Sequence, residues 1–352
     1  MTVKQNLPPG TLVYTGKHHL VEPEMTLIAF DGPKYIKKVV QTSDFEMIDK
    51  LSGVKWLNIT GLSHMDLIKT IGDRYQIDPM ILEDIVHVEQ RTKIEIKSGQ
   101  FLFAVFKMIY LNREKQGIDH ITHIKHEHIS FLLIQNLLIT FQEEHGDVFD
   151  GVRERISDET RKIRERGVDY LFYTLIDAIV DHQMEVMLSL QNDIDSIEER
   201  IVEYDIDDIE PLYHLRKSLT ILKAGAMPIQ ETLMRLITQE TPMIRLSTKE
   251  FFRDVIDHAA HLSDRIMTNR EVVASLFDMH QTNVSNNMNR VMTTLTIFSA
   301  IFIPLSFLTG FFGMNFQVFP SLSYALGVPI FIGSCLLIAV LMLGFFKWKK
   351  WF

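Results

Sequence analysis

Residues 291–346 read VMTTLTIFSAIFIPLSFLTGFFGMNFQVFPSLSYALGVPIFIGSCLLIAVLMLGFF, with no Asp, Glu, Lys or Arg between Arg290 and Lys347. The stretch resolves into two apolar runs, 291–312 and about 324–346. Each reaches the roughly 20 apolar residues that a helix needs to cross a bilayer core. The link between them, 313–323, opens on the polar-tipped tripeptide Gly313-Met314-Asn315. The pattern predicts a helical hairpin in the membrane, and the tripeptide at its tip points beyond simple anchoring.

The flanks predict an orientation. Arg290 precedes the first run, and Lys347, Lys349 and Lys350, interleaved with Trp348 and Trp351, follow the second. By the positive-inside rule both termini lie in the cytoplasm and the 313–323 link faces outward. Residues 1–10 are polar and contain proline, without a hydrophobic signal segment. The net charge is −9; the three lysines after Arg290 leave residues 1–290 at −12. An acidic cytosolic part argues against nucleic acid and for cationic partners, although a solvated acidic surface gives the same balance. Cys335, the single cysteine, lies in the second run, so no intramolecular disulfide is expected.

Residues 1–165 read as a cytosolic α/β domain. Strand-like runs fall at 26–30, 54–60, 101–110, 129–134 and 137–141, the last two joined by a Gln135-Asn136 turn. Ser63 to Asp66 resembles a capping box, and Asp78-Pro79 opens a further helix. Residues 166–246 predict a helical hairpin. Leu171, Leu175, Ile179, Met187, Leu190, Ile194, Ile197 and Ile201 recur at helical spacing, and a second helix from Pro211 runs through Leu215, Leu219, Leu222, Met227 and Leu233. Ser247 and Glu250 form a capping box for a third helix, the stalk 247–312, whose stripe is Val255, Ala259, Leu262, Ile266, Val273 and Leu276. No Gly or Pro interrupts it before Pro304, so soluble part and first span are expected to form one mechanical unit. The expected order is completed by the 313–323 outer loop, a second span over 324–346 and a basic tail, 347–352.

One face of the first span runs Asn289, Met292, Leu295, Ser299, Ile303, Ser306 and Gly310, at steps of three or four. Small and hydroxyl-bearing residues on one stripe suit close helix packing or a wet lumen equally. Two helices cannot enclose a pore alone, so a lumen requires several copies of the chain.

Phe312-Gly313-Met314-Asn315-Phe316 between two C-terminal spans, after a very long helix and an acidic α/β domain, resembles the CorA family of divalent-cation channels. The resemblance extends to Leu82-Glu83-Asp84, Tyr173-Thr174-Leu175-Ile176-Asp177 and Phe252-Arg253-Asp254-Val255-Ile256-Asp257-His258. It implies an α+β chain with a membrane hairpin, assembled as a funnel-shaped homopentamer in the cell inner (plasma) membrane, with the first span lining the pore. It implies Mg2+ and Co2+ influx down the electrochemical gradient, with no enzymatic activity and no organic cofactor. Gly313, Met314 and Asn315 would form the selectivity filter. Mg2+ dehydrates reluctantly, so neutral oxygens that bind its water shell suit the task. Rings of Met292 and Leu295 would close the pore by dewetting, with Asn289 at the cytosolic end.

The resemblance also implies regulatory Mg2+ held between subunits by Asp84 and Asp254, with Glu83 and Asp177 as candidates for a second site. Taken alone, Glu83 and Asp84 read as a solvated helix end. The outer loop departs from the family by lacking acidic residues after the tripeptide. That leaves open a Zn2+ transporter of the same fold, possibly proton-coupled, among alternatives that include a non-conducting membrane-tethered sensor. His120, His123, His126 and His128 form a dense histidine group; without cysteine, strand-edge surface histidines are the simpler reading. Gly16-Lys17 lacks the glycine spacing of a phosphate loop, which argues against an ATP-driven pump.

Overall fold

The computed structural model describes residues 8–18, 20–97, 100–112, 122–158, 162–203, 209–314 and 326–351. It divides into two compact units, Met1–Leu276 and Phe277–Phe352.

The first unit is built on a seven-stranded sheet. Its strands are β1 (Glu24–Asp31), β2 (Lys34–Val40), β3 (Val54–Thr60), β4 (Lys93–Lys97), β5 (Phe101–Leu111), β6 (Ile124–Ile134) and β7 (Leu137–Gln142). The order is β2-β1-β3-β7-β6-β5-β4, with β3 and β7 parallel and every other neighbouring pair antiparallel. Both faces of the sheet are covered, which is why β3 and β7 are buried along their whole length rather than at alternate positions. On one side α1 (Phe45–Lys50), α2 (Met65–Tyr75) and α3 (Pro79–Val86) pack through Ile48, Ile71 and Ile85 onto Leu57, Ile59 and Phe103. On the other, α4 (Asp150–Ser157), α5 (Val168–Val202), α6 (Glu210–Thr238) and the start of α7 (Leu246–Phe312) meet Trp56, Phe106 and Phe131.

The five predicted strands are present, each within a few residues of its expected ends. Two more, β2 and β4, occupy the sheet edges, and their lysine-rich sequences hid them. Charged residues on an edge strand discourage pairing with a further strand; in β2 (KYIKKVV) they also break the alternation, whereas β4 (KIEIK) alternates but spans only five residues. The Gln135-Asn136 turn holds, with Gln135 at φ 46°. Asp78 caps α3 through its carboxylate, which accepts from Met80 N at 3.0 Å.

Both predicted capping boxes fail. The N-cap of α2 is His64, without a side-chain cap bond. Helix α7 already begins at Leu246, which puts Ser247 inside the helix. A tertiary carboxylate fixes that start instead: buried Asp169, in the first turn of α5, accepts from Arg245 N (3.1 Å), the Arg245 guanidinium (2.6 Å) and Thr248 Oγ1 (2.6 Å). Met227 is exposed, its expected core place taken by Ala226 and Ile229. The apolar stripes expected on α5 and α7 are buried throughout.

Helix α7 counts 67 residues, about 100 Å at 1.5 Å per residue, and continues through Pro304. Helix α8 (Gly327–Trp348) is the second helix long and apolar enough to cross a membrane.

Candidate functional site

Within the Phe277–Phe352 unit, the half-buried positions of α7 are Thr293, Ile297, Ala300, Pro304, Leu308 and Phe312 and their neighbours on the same face. Phe312 touches Phe331 of α8, ring centroids 5.0 Å apart. The expected pore stripe lies on the opposite face. Asn289, Met292, Leu295, Ser299, Ile303, Ser306 and Gly310 are all exposed in the single chain. Hydroxyls elsewhere on this span satisfy themselves within the helix, Thr294 on Arg290 O at 2.9 Å and Thr296 on Met292 O at 2.7 Å. That internal bonding is what a helix in hydrocarbon requires. At its end Gly313 N donates to Thr309 O at 2.9 Å, and a Cβ at Gly313 would stand 3.0 Å from the same oxygen. Met314 is exposed just beyond. Asn315 and the rest of the expected outer loop lie outside the described residues. After α8, Phe346 stacks on Trp351 at 5.3 Å and Lys349 Nζ sits 5.8 Å from the Trp348 ring.

The expected regulatory carboxylates fall on both sides of the sheet. Glu83 and Asp84 end α3, whose Leu82 and Ile85 belong to one core. Asp177 on α5 and Asp254 on α7 belong to helices packed in the other. The single chain therefore does not bring Asp84 to Asp254, or Glu83 to Asp177. Glu83 Oε2 accepts from Gly10 N at 2.5 Å. Asp84 is engaged by Lys93 Nζ at 2.6 Å and by Gln90 Nε2.

Asp177 and Asp254 do share a neighbourhood, built from two residues that the sequence reading passed over. Ligand atoms of Asp177, Asp181 and His258 all lie within 4.8 Å of one another. His258 Nε2 is 3.9 Å from Asp254, one helical turn earlier. The signal was present as i, i+4 spacing, Asp177 with Asp181 and Asp254 with His258, which puts each pair on one helix face. Burial pushes the Asp177 carboxyl up to about 6, with the like charge of Asp181 next in weight and Asp254 adding to it. A cation at this point would relieve that repulsion. Carboxylate oxygens with retained water suit Mg2+, while the His258 nitrogen adds a donor preferred by transition metals.

Among the described residues the histidine group forms no such cluster. His120 lies outside the described residues, His123 rests edge-on against His214 at 5.6 Å, and His128 is buried with its Nε2 2.8 Å from Ser130 Oγ.

Comparisons with known proteins agree with this architecture. The family model described as CorA-like Mg2+ transporter protein matches residues 52–350. The chain is 36% identical over 355 residues to the cobalt/magnesium transport protein CorA of Thermotoga maritima, covering 100% of this chain and 98% of that one. It is 26% identical over 294 residues to the zinc transport protein ZntB of Photorhabdus laumondii, covering 82% and 85%. The complete structure of the CorA magnesium transporter from Methanocaldococcus jannaschii superimposes with a TM-score of 0.73 at 20% identity, covering 93% of this chain and 98% of that one. With a family model over most of its length and a full-length relative at that identity, the chain belongs to the CorA-like Mg2+ transporter family.

Proposed function

We propose that this chain forms a homopentameric channel that passes Mg2+ and Co2+ into the cytoplasm down the electrochemical gradient. The stripe from Asn289 to Gly310 lines the pore, and Gly313, Met314 and Asn315 form its outer filter. The observation behind this reading is the exposure of that stripe on the α7 face opposite the contact with α8, leading up to Gly313 and Met314. A face carrying Asn289, Ser299 and Ser306 is costly against lipid and suits a water-filled axis shared by several copies. The chain sits in the cell inner membrane with both termini cytoplasmic. No ATP is needed, since an inward-negative potential supplies roughly 2.3 kcal/mol per charge per 100 mV, doubled for a divalent ion.

Cytosolic Mg2+ closes the channel by joining Asp84 of one copy to Asp254 of the next, with Glu83 and Asp177 holding a second ion. The placement of these residues on opposite sides of one chain's sheet supports a site shared between copies. Loss of the ions leaves facing carboxylates that repel and loosen the assembly.

A second reading, a Zn2+ transporter of the same fold, is favoured by the likeness to ZntB and by an outer loop without acidic residues. Purified chain in liposomes, offered Mg2+ against Zn2+ with and without a pH gradient, separates the two. Mg2+ flux indifferent to the gradient supports the channel, whereas proton-dependent Zn2+ flux supports the rival. Flux of neither ion would leave a membrane-tethered sensor.

A further inference from the structure

Within the Met1–Leu276 unit a cavity of about 760 Å3 opens where α6 crosses β5 and β6. Strand register builds its floor. Lys107 is paired with His128 and Ile109 with His126, so the four side chains share one face of the sheet. The turn of α6 from 221 to 228 forms the opposite wall. A Cβ at Gly225 would collide with Ile109 Cδ1, so glycine lets helix and strand approach. Pro228 lacks an N–H, which leaves the Ala224 carbonyl without its helical donor, and both residues line the cavity.

Polar groups in this cavity exceed what the fold satisfies. His128 is 1% exposed and Thr92 8%, yet His128 Nδ1 and Thr92 Oγ1 are buried without a hydrogen-bond partner. Buried polar atoms are rarely left so unless a water or ligand completes them. Lys107 reaches in from the floor, its pKa lowered by burial, its Nζ donating to Val88 O. At the mouth Lys17 and Arg91 are exposed and form no ion pair among the described residues. The wall is not uniformly basic. Glu143 is committed to Tyr14 Oη at 2.7 Å and His128 N at 3.4 Å, while Glu89 stands exposed at the rim. A metal does not explain the site, because the His and carboxylate atoms found converging among the described residues are those of Asp177, Asp181 and His258.

We propose that this cavity binds a nucleotide-class organic phosphate. Lys17, Arg91 and Lys107 would take the phosphate oxygens through charge-assisted hydrogen bonds. Ile109, Ile221 and Pro228 give the apolar surface for a planar base, and the Ala224 carbonyl and Glu89 accept from its amino groups. The volume lies within the roughly 300–1,000 Å3 of small-molecule sites. No phosphate loop is present, so side chains rather than backbone amides hold the ligand, and no hydrolysis is implied. The inference does not depend on the transport reading.

The test is calorimetric titration of the full-length chain in detergent with ATP, AMP and inorganic phosphate, in EDTA so that no divalent ion is involved. ATP should bind once per chain, and inorganic phosphate more weakly, because it misses the apolar wall. Lys17→Ala combined with Arg91→Ala should weaken ATP binding by about tenfold or more. Ala224→Trp, at an exposed helix position, should abolish it by filling the space. Absence of ATP and AMP binding at millimolar concentration would overturn the proposal, as would an affinity unchanged by both sets of variants. Phosphate binding as tight as ATP would overturn the nucleotide class.

Discussion

Asp84 and Lys93 are joined by a 2.6 Å ion pair in which the Asp84 side chain is only 14% exposed. The carboxylate proposed to share a divalent ion with a second copy is therefore already held by a lysine of its own chain. Lys93 also reaches Glu95 at 2.6 Å and lies 5.9 Å from the Phe103 ring. On the proposed gating, a regulatory ion would have to displace this ammonium, so the pair would set the Mg2+ concentration at which closure occurs.

Replacing Lys93 by Met keeps an apolar stem over Phe103 and removes the competing charge. Half-inhibition of flux by cytosolic Mg2+ should then move to lower concentration, by roughly fivefold for a pair worth about 1 kcal/mol. Asp254→Lys should move it the other way and weaken closure at millimolar Mg2+. Flux assays at graded internal Mg2+ check both; inhibition unchanged in both variants would remove these carboxylates from the gate.

Asp169 ties the beginnings of α5 and α7, the helices that present Asp177 and Asp254. Burial works against its charge, but hydrogen bonds from Arg245 and Thr248 outweigh that and hold its pKa below the usual carboxylate range. Asp169→Ala should cost about 2–3 kcal/mol, less than a fully buried pair because Arg245 can rehydrate. Thermal unfolding of the purified chain should show a drop of several degrees; an unchanged midpoint would deny Asp169 this tie.

Glu127 gives a pH signature of its own. Burial raises its carboxyl from 4.5 to about 8, against the pull of hydrogen bonds from the Glu144 and Glu143 amides. The folded chain thus holds a proton that the unfolded chain releases near 4.5. Its contribution favours folding at low pH and is lost progressively as pH rises from about 4.5 to about 8. Glu127→Gln keeps an oxygen for the amides at 2.7 and 2.9 Å and cannot ionise. Relative to the parent it should gain stability between pH 5 and pH 9, read as a widening difference in unfolding midpoint. A difference that stays constant with pH would contradict the shift.

Much of the architecture was legible because it rests on long periodic signals. The membrane hairpin needed only the uncharged gap from Arg290 to Lys347, and α5 and α7 their recurring Leu, Ile and Val. What escaped was set by tertiary context. The lysines of β2 mask a strand that only a neighbouring strand defines, β4 alternates over just five residues, and with β4 unseen the partner of Asp84 was invisible. The start of α7 is fixed by Asp169, 76 positions from Arg245, so no local cap could reveal it. Asp181 and His258 sat at legible helical spacing beside predicted residues, but only packing of α5 near α7 turns two i, i+4 pairs into one cluster. Gly16-Lys17 has no phosphate-loop spacing, and the cavity it borders left no motif because it is assembled from six separate segments.

The central claim is that Asn315, at the outer end of a shared pore, meets a hydrated divalent ion with a neutral oxygen. Its most direct test is Mg2+ influx into liposomes by the parent chain and by Asn315→Ala, each verified by native mass spectrometry as a pentamer. The parent should conduct under an inside-negative potential and the variant should lose roughly tenfold or more of the flux. Undiminished Mg2+ flux through an intact Asn315→Ala pentamer would contradict the account.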